Sequence, residues 1–440
     1  MIANIIRWNI IRWITLFEVA TSWACQRDDV VAEIGRSDTA DECTETEPPV
    51  LLGREGVEEC GGLIAAQTFG FAACICDDLV ATGTLTADAY DSRNGPYVAG
   101  TFGGSLGING RLASSREIDI SGSLFIAGAG GIQTGLAPVS IQGRLFDQGP
   151  LRADGAVLVG GDASIGSSVR ASSLEIGGVL TIPDADAIEV SGDLRAPSIL
   201  EREVVVPPPC ACETTVDIAA YVNRHHEVND NARIGLGEDD LGNLEEATRL
   251  ELPCGRYYVS RISGQGALTL AIEDRAALFV GQDLALQDML TVELAPGAEL
   301  DLFIAGQIVA SNRLDLGDTS NAARIRIYMG GSGTLQLDAG ATLAGYLYAP
   351  HAELSSNGDV ELFGALFVRR LAVSGRFRAH YDLAIATAGD LCPEQVPESC
   401  EGCASCLNRA CIDGRCISCT SDQECCAPRV CANGQCVPEI

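Results

Sequence analysis

The sequence contains no lysine, so all 29 of its Lys-plus-Arg residues are arginines, beside four histidines. Schiff-base enzymes, Walker A phosphate loops and protein kinases all depend on a lysine amine, and the sequence excludes these classes. Aromatic residues make up only 5% of the chain. Beyond the N-terminal region, no stretch approaches the roughly 18 consecutive apolar residues that a membrane-spanning helix requires.

Positive charge is scarce as well. Sixty acidic residues leave a formal net charge of −31, which repels both nucleic-acid phosphates and anionic lipid surfaces. We therefore expect no nucleic-acid partner. The 47% hydrophobic content excludes a disordered chain, and 440 residues with 49 glycines are typical of two to four domains built from short strands and turns.

The N-terminal residues are organised like an export signal. Arg7 and Arg12 precede a short apolar stretch, residues 13–24, and Cys25 follows a small residue. This arrangement resembles a bacterial lipoprotein signal, in which the cysteine after the cleavage point receives the lipid. We predict a signal peptide at residues 1–24 and a lipid anchor at Cys25, in the outer membrane or at the cell surface. A plain secretory signal cut nearby is the alternative.

Nineteen cysteines predict an oxidising compartment. The count is odd, and lipidation of Cys25 would leave eighteen, which permits complete pairing. The candidates for disulfide bonds are Cys43, Cys60, Cys74, Cys76, Cys210, Cys212, Cys254, Cys392, Cys400, Cys403, Cys406, Cys411, Cys416, Cys419, Cys425, Cys426, Cys431 and Cys436.

Cysteines of a C-x-C pair rarely bond to each other, because the resulting ring is strained. Both such pairs are therefore predicted to bond elsewhere. The pairing hypothesis joins Cys74 and Cys76 to Cys43 and Cys60 in either order, and Cys210 and Cys212 to Cys254 and Cys392, the last bond tying the tail to the body.

The last fifty residues contain a duplicated motif. The spacing C-x4-C-x4-C occurs at residues 406–416 and again at 426–436, each copy with a turn dipeptide, Asp413-Gly414 or Asn433-Gly434. Two disulfide-stapled hairpins are predicted. The alternative is a metal site, because residues 400–411 approach an iron–sulfur spacing, but the last gap and the following proline of that motif do not match. We favour disulfides and predict no metal site.

Short aliphatic pairs recur along the body at intervals near twenty residues. Ile118, Ile120 and Leu124 return 21 residues later, the aliphatic positions of residues 268–280 return after 22, those of 302–304 after 23, those of 314–316 after 21 and those of 343–347 after 19. Period-two alternation inside such a repeat predicts an all-β fold, a parallel β-helix (β-solenoid), with glycine, Asn or Asp at corners of positive φ. A β-sandwich, the alternative, would not impose one offset on five successive positions.

A break divides the repeats into two halves. Three prolines, residues 207–209, end the first half because proline removes ladder donors. Thr214 and Asp217 resemble a capping box, which predicts one α-helix at about 214–226. The predicted domains are the signal peptide (1–24), an acidic tether with an N-terminal disulfide segment (25–76), the first solenoid half (77–206), the break (207–255), the second half (256–390) and a disulfide-rich C-terminal tail (391–440).

Several short motifs carry a resemblance. They are Asn229-Asp230-Asn231, Leu252-Pro253-Cys254-Gly255-Arg256-Tyr257-Tyr258, Leu300-Asp301-Leu302-Phe303, Arg324-Ile325-Arg326-Ile327-Tyr328, Tyr348-Ala349-Pro350 and His380-Tyr381-Asp382. In this order, over about residues 205–390, they resemble an uncharacterised family of exported bacterial β-helix proteins, bactofilin-like and polymer-forming in style. The resemblance implies a right-handed parallel β-helix at the cell surface and no particular activity.

Candidate catalytic residues are few. Arg324 and Arg326, on one outward face, offer the arginine base of a polysaccharide lyase, the enzyme class that this fold often hosts. Residues 103–107 match the G-x-S-x-G nucleophile motif around Ser105, which has meaning only on a strand–turn–helix. Acid-lined faces of a solenoid are usually only solvated, and we predict no catalytic residue.

Metal ligands are equally sparse. His225 and His226 are adjacent on a helix and point about 100° apart, so packing of the first and exposure of the second is expected. His380 is expected to cap the last coil. Calcium is the one cofactor that the acidity leaves open, although Leu335 stands where a calcium-binding nonapeptide needs aspartate.

These patterns together favour a non-enzymatic surface lipoprotein, a structural scaffold or adhesin-like protein that binds an envelope, matrix or saccharide ligand. The alternatives are a polysaccharide lyase or hydrolase on a β-helix, and a self-assembling solenoid polymer.

Overall fold

Stacked parallel strands form a β-solenoid of about 13 turns in the computed structural model, and a disulfide-rich tail follows, which confirms the predicted fold class. The structure describes residues 32–34, 61–213, 216–310, 314–317, 319–320, 322–337, 341–389, 400, 406, 410–417, 419, 421–425, 429–432 and 435–438. They all lie in one compact unit, Val31–Ile440. The predicted signal peptide, and Cys25, Cys43, Cys60, Cys392, Cys403 and Cys426, lie outside these residues. Within them, no helix is both long and apolar enough to cross a bilayer.

Short elements make up the chain up to the break. After β1 (Ala32–Ile34) and α1 (Gly61–Thr68), the first half contains β2 (Ala73–Ile75), β3 (Leu79–Ala81), β4 (Leu85–Tyr90), β5 (Leu106–Ile108), β6 (Leu112–Ser114), β7 (Ile118–Ile120), β8 (Leu124–Ile126), β9 (Ile132–Thr134), β10 (Val139–Ile141), β11 (Leu145–Asp147), β12 (Leu151–Ala153), β13 (Ala156–Val159), β14 (Ala163–Ile165), β15 (Val169–Ala171), β16 (Ser173–Ile176), β17 (Val179–Ile182), β18 (Ile188–Val190), β19 (Leu194–Arg195) and β20 (Ser198–Glu201).

Longer strands follow the break. Helices α2 (Ile218–Glu227) and α3 (Asn231–Ile234) precede the second half, which contains β21 (Thr248–Leu252), β22 (Gly255–Val259), β23 (Ile262–Gly264), β24 (Leu268–Ile272), β25 (Arg275–Val280), β26 (Leu284–Leu286), β27 (Leu290–Leu294), β28 (Glu299–Ile304), β29 (Ile308–Ala310), β30 (Leu314–Leu316), β31 (Ile325–Met329), β32 (Thr334–Leu337), β33 (Thr342–Ser356), β34 (Val360–Val373) and β35 (Phe377–Asp382). The tail contains β36 (Ala410–Ile412), β37 (Arg415–Ile417), β38 (Arg429–Ala432) and β39 (Gln435–Pro438).

Each coil has three faces, and period-two alternation builds them. In β7, Ile118 and Ile120 point inward and are fully buried, whereas Asp119 between them is partly exposed. We name the faces by their strands: face A contains β7 and its neighbours β4 and β10, face B contains β8, β5 and β11, and face C contains β9, β6 and β12. Parallel backbone hydrogen bonds join each strand to the equivalent strands of the adjacent coils.

Stacked glycines occupy the corner between faces A and B in the first half. The N–H of Gly143 donates to Gly122 O at 3.0 Å, and the N–H of Gly161 donates to Gly143 O at 2.8 Å. A Cβ on Gly143 would lie 2.6 Å from Gly122 O. These glycines have no positive φ, contrary to the sequence prediction. Glycine is required here because adjacent coils approach closely.

The coils are not stacked in the order of the sequence. Strand β35 pairs with β34 on one side and with β4 on the other, and β2 and β3 also pair with β34. One coil therefore takes face A from β35 and faces B and C from β2 and β3, and we call it the joint coil. It makes the two halves one continuous stack in which the second half of the sequence precedes the first.

A return segment, described at residues 202–213 and 216–217, runs back along face B from the far end of the stack towards its beginning. Its backbone is held by side chains of successive coils. The N–H of Val206 donates to Gln148 Oε1 at 2.7 Å, and that of Val216 donates to Tyr348 Oη at 3.0 Å. Because α2 follows directly, it packs across the outside of face B.

Helix α2 begins at Ile218, where Asp217 caps it by accepting from the N–H of Ala220 at 3.0 Å. The predicted start at residue 214 lies outside the described residues. Its buried side chains are the four that the sequence placed on one helical face, Ile218, Tyr221, Val222 and His225. Two of them stack on aromatic rings of face B, Tyr221 on Phe303 and His225 on Phe279. These two rings belong to an outward-facing row of buried aromatic residues in register: Tyr258, Phe279, Phe303, Tyr328, Tyr348 and Phe367.

Two disulfide bonds, Cys74–Cys210 and Cys76–Cys212, fasten the return segment to the joint coil, and we call them the double clasp. The predicted pairing of these four cysteines is wrong. The return segment lies alongside β2, so the equal two-residue spacing of both pairs brings both bonds into register, with Cα–Cα distances of 5.7 Å. Cys254 is also disulfide-bonded.

The tail contains the two predicted hairpins, β36–β37 and β38–β39. Asp413 and Gly414 have φ of 51° and 75°, as a type I′ turn requires. The described disulfides of the tail are Cys400–Cys411, Cys406–Cys416 and Cys425–Cys436.

One inward position of the stack holds an acid. Asp147 lies in register with Ile126 and Ile165 and is fully buried; its Oδ1 accepts from Gly149 N at 2.9 Å, and its Oδ2 has no partner among the described atoms. Burial raises the pKa of Asp147 to about 7.

The Asp147→Asn variant should therefore change how stability depends on pH. The folded state favours the neutral carboxyl, so raising the pH from about 4 to 7 removes about 4 kcal/mol of unfolding free energy through this group. Asparagine keeps an acceptor for Gly149. In urea titrations we expect the variant to match the parent at pH 4 and to be more stable at pH 8. Parallel pH profiles would contradict this account.

Candidate functional site at the joint coil

Three distant segments converge beside face A at the joint coil. They are the loop after β4 (residues 91–104), the turn before β31 (described at residues 319–320 and 322–324) and the turn after β35 (residues 383–389). The first belongs to one half of the sequence and the other two belong to the second half. Only the permuted coil order brings them together.

Asp382, the last residue of β35, holds these segments in place. Its Oδ1 accepts from the N–H groups of Ser92 at 2.9 Å and Ala384 at 3.1 Å, and its Oδ2 accepts from Ala323 N at 3.3 Å. The Tyr346 hydroxyl donates to its carbonyl oxygen. Asp382 is fully buried, and this burial raises the pKa of its carboxyl. One side chain thus fixes the backbone of all three segments.

Arg326, on β31, forms a second buried network next to it. Its Nε and Nη2 donate to the two carboxylate oxygens of Asp301 at 2.7 and 2.9 Å, and Nη2 also donates to Glu299 at 2.9 Å. Its Nη1 donates to Ala323 O at 2.9 Å. Burial alone would lower the pKa of this guanidinium, but the charges of Asp301 and Glu299 outweigh it and raise the pKa.

The two arginines expected on one outward face are therefore in different environments. Arg326 is 1% exposed and bonded to two carboxylates, so it is not available as a surface base. Arg324 ends the 3-10 turn before β31 and is half-buried. Strand β31 begins at Ile325, so its period-two alternation includes Arg326 but not Arg324.

A cleft of ≈ 180 Å³ lies between the three segments. Its lining residues are Ser92, Arg93, Glu299, Ser320, Ala323, Arg324, Ala384 and Ala388. Four of them are bonded directly to one of the two networks: Ser92, Ala323 and Ala384 through Asp382, and Glu299 through Arg326. The walls are thus preorganised by buried polar groups.

A polar cluster around His380 joins the two halves on face A. His380 Nδ1 lies 2.6 Å from Asp88 Oδ1, and the Tyr97 hydroxyl donates to Asp88 Oδ2 at 2.7 Å. On the other side, His380 Nε2 lies 3.4 Å from Glu361 Oε1. Burial, and then the bond to Asp88, raise the pKa of Tyr97, so this tyrosine is a hydrogen-bond donor and not a base.

His380 was expected to cap the last coil, and that expectation is wrong. Its strand β35 pairs on both sides, with β34 and β4, so His380 lies in the interior of the stack.

The remaining sequence candidates have structural contacts. Ser105 is buried and accepts from Ser123 N at 3.0 Å, and strand β5, not a helix, follows it. The nucleophile-elbow geometry is therefore not present at this serine.

The histidine pair is separated as expected. His225 stacks on Phe279 with ring centroids 4.0 Å apart, and burial lowers its pKa to about 4. His226 is exposed and lies 3.3 Å from Glu238. Leu335, in the segment compared with a calcium repeat, is buried in the core.

Comparison with known families gives a match for part of the chain. Comparisons with curated proteins and with solved structures gave no match. The family match begins at the return segment and ends just after β35, close to the 205–390 limits of the resemblance, so Ser92 and Arg93 of the cleft come from outside it. Residues 209–388 match the family model of DUF7305, a domain of unknown function.

Proposed function

We propose that this protein is a non-enzymatic scaffold or adhesin-like binding protein of the cell surface, exported and anchored by lipid at Cys25, with an envelope, matrix or saccharide ligand. The observation that carries the proposal is the continuous stack of coils, fastened by the double clasp. Stacked coils present extended, regular faces, which suit recognition of an extended partner.

The outward positions of face C illustrate such a surface. Gln133, Arg152, Arg170 and Glu189 follow one another in register on successive coils, and the last three are exposed. Adjacent coils lie about 4.8 Å apart, so a polymeric ligand meets a polar side chain at each step.

The disulfide bonds support export. Cys74–Cys210 and Cys76–Cys212 join segments 136 residues apart, and such bonds persist in oxidising compartments.

Mass spectrometry of the protein from native membranes tests the cellular address. We expect loss of residues 1–24, added acyl mass at Cys25, and eighteen cysteines that react with an alkylating agent only after reduction. The Cys25→Ala variant should leave the membrane fraction. A retained leader, or thiols that react before reduction, would contradict export.

Binding is tested with purified envelope polysaccharide immobilised on a surface. We expect the full chain to be retained without shortening the polymer. Turnover that disappears in the Arg324→Gln variant would establish the lyase alternative instead. Absence of retention on every envelope fraction would contradict a binding role.

A further inference from the structure

We propose that the cleft at the joint coil binds the carboxylate-bearing sugar of an acidic saccharide, with Arg324 contacting the carboxylate. The proposal rests on the proposed binding function and names the class of its ligand. It depends on three observations: the cleft is preorganised, one of its lining arginines has no ion-pair partner among the described residues, and its size matches one small polar group.

Preorganisation follows from the two buried networks. The backbone at Ser92, Ala323 and Ala384 is fixed by Asp382, and Glu299 is fixed by Arg326 and by the N–H of Gly389 at 2.9 Å. A site whose walls are already ordered loses little conformational entropy when a ligand binds.

Arg324 differs from the other two arginines at the cleft. Arg93 is paired with Asp91 through Nε and Nη2, both at 2.8 Å, and Arg326 is bonded to two carboxylates, Glu299 and Asp301. Within the described part of the chain, Arg324 has no ion-pair partner. Its guanidinium is therefore available to bind an anionic group of a ligand. Arginine recognises carboxylates through two parallel N–H donors.

The lining favours a sugar over a larger anion. Cavities for drug-sized ligands are about 300–1,000 Å³, so a cleft of ≈ 180 Å³ accommodates a single ring. Its lining includes three small side chains, Ala323, Ala384 and Ala388, which leave room for a ring, and two hydroxyl residues, Ser92 and Ser320.

Calorimetric titration of the full chain with sodium glucuronate tests the proposal. We expect saturable millimolar binding, at least tenfold weaker in Arg324→Gln and weakened in Arg93→Gln. Arg152→Gln, an exposed arginine on face C of another coil, is the matched control and should bind like the parent. Thermal unfolding of each variant shows whether it is folded. If Arg324→Gln does not fold, the weaker binding expected of Arg93→Gln tests the proposal.

Other outcomes overturn it. If glucose bound as tightly as glucuronate, the carboxylate would have no role in binding. If acetate bound as tightly as glucuronate, the sugar ring would have no role. If glucuronate does not bind but envelope polysaccharide still retains the protein, this proposal fails and the proposed function stands. If neither binds, both fail.

Discussion

Removing both bonds of the double clasp should lower the free energy of unfolding by about 7 kcal/mol, whereas removing either bond alone should cost only about 2 kcal/mol. The two bonds close nearly the same loop. Each joins residues 136 apart, and the second bond, Cys76–Cys212, is displaced from the first, Cys74–Cys210, by two residues at both ends. While one bond remains, the second bond closes an additional loop of only a few residues. The long loop, worth about 5 kcal/mol in chain entropy, opens only when both are absent.

Denaturant unfolding without reductant measures this non-additivity in Cys74→Ala/Cys210→Ala, in Cys76→Ala/Cys212→Ala and in the fourfold variant. The matched control is Cys406→Ala/Cys416→Ala, whose bond spans 10 residues in the tail and should leave unfolding of the solenoid unchanged. Equal losses from one bond and from both would refute the shared-loop explanation.

The Arg326→Leu substitution should cost about 3–5 kcal/mol of unfolding free energy, because it leaves Asp301 and Glu299 without their buried partner. Asp301 is 7% exposed, so water does not replace the lost guanidinium. The loss should also loosen the turn at Ala323, whose carbonyl accepts from Arg326.

The matched control for this variant is Arg376→Leu. Arg376 pairs with Asp359 at the surface, where solvent screens the charges, so we expect little change. Combining Arg326→Met with Asp301→Leu should recover part of the loss, because the more buried of the two carboxylates is removed together with the guanidinium, while Glu299 keeps the N–H of Gly389 as a donor. Similar effects from both single arginine substitutions would show that burial of the Arg326 network contributes nothing.

Some of the offsets predicted from the sequence were right. Ile118 pairs with Val139 at the expected offset of 21, and Leu343 pairs with Leu362 at 19. In the second half the offset of 22 holds on face A, but Leu278 pairs with Leu302, 24 residues later. A turn at Gly297, with φ of 90°, adds two residues at one corner without disturbing the alternation.

Some predicted equivalences joined different faces. Leu314 and Leu335 were matched at an offset of 21, yet Leu314 pairs with Leu290 on face A and Leu335 pairs with Leu354 on face C. Every face uses the same aliphatic residues at inward positions, so offsets alone do not distinguish one face from another.

The joint coil and the candidate site could not be predicted for a related reason. The inward residues of β35 and β4 would fit against those of many coils, and nothing local specifies that Phe377 pairs with Leu85. Without the stacking order of the coils, the sequence does not show that Asp382 lies beside Ser92. The double clasp depends on the same unknown, since it requires the return segment to pass over β2.

The permuted stacking prevents the chain from folding in the order of its synthesis. The contact between Ser92 and Asp382 joins residues that are 290 positions apart in the sequence. Contacts of such large sequence separation are slow to form. At translation rates of about 5–20 residues per second, the strands β2–β4 wait about 15–60 s for β35. During that interval the first half carries an open sheet edge that only β34 and β35 cover, so completion of the core is a late event.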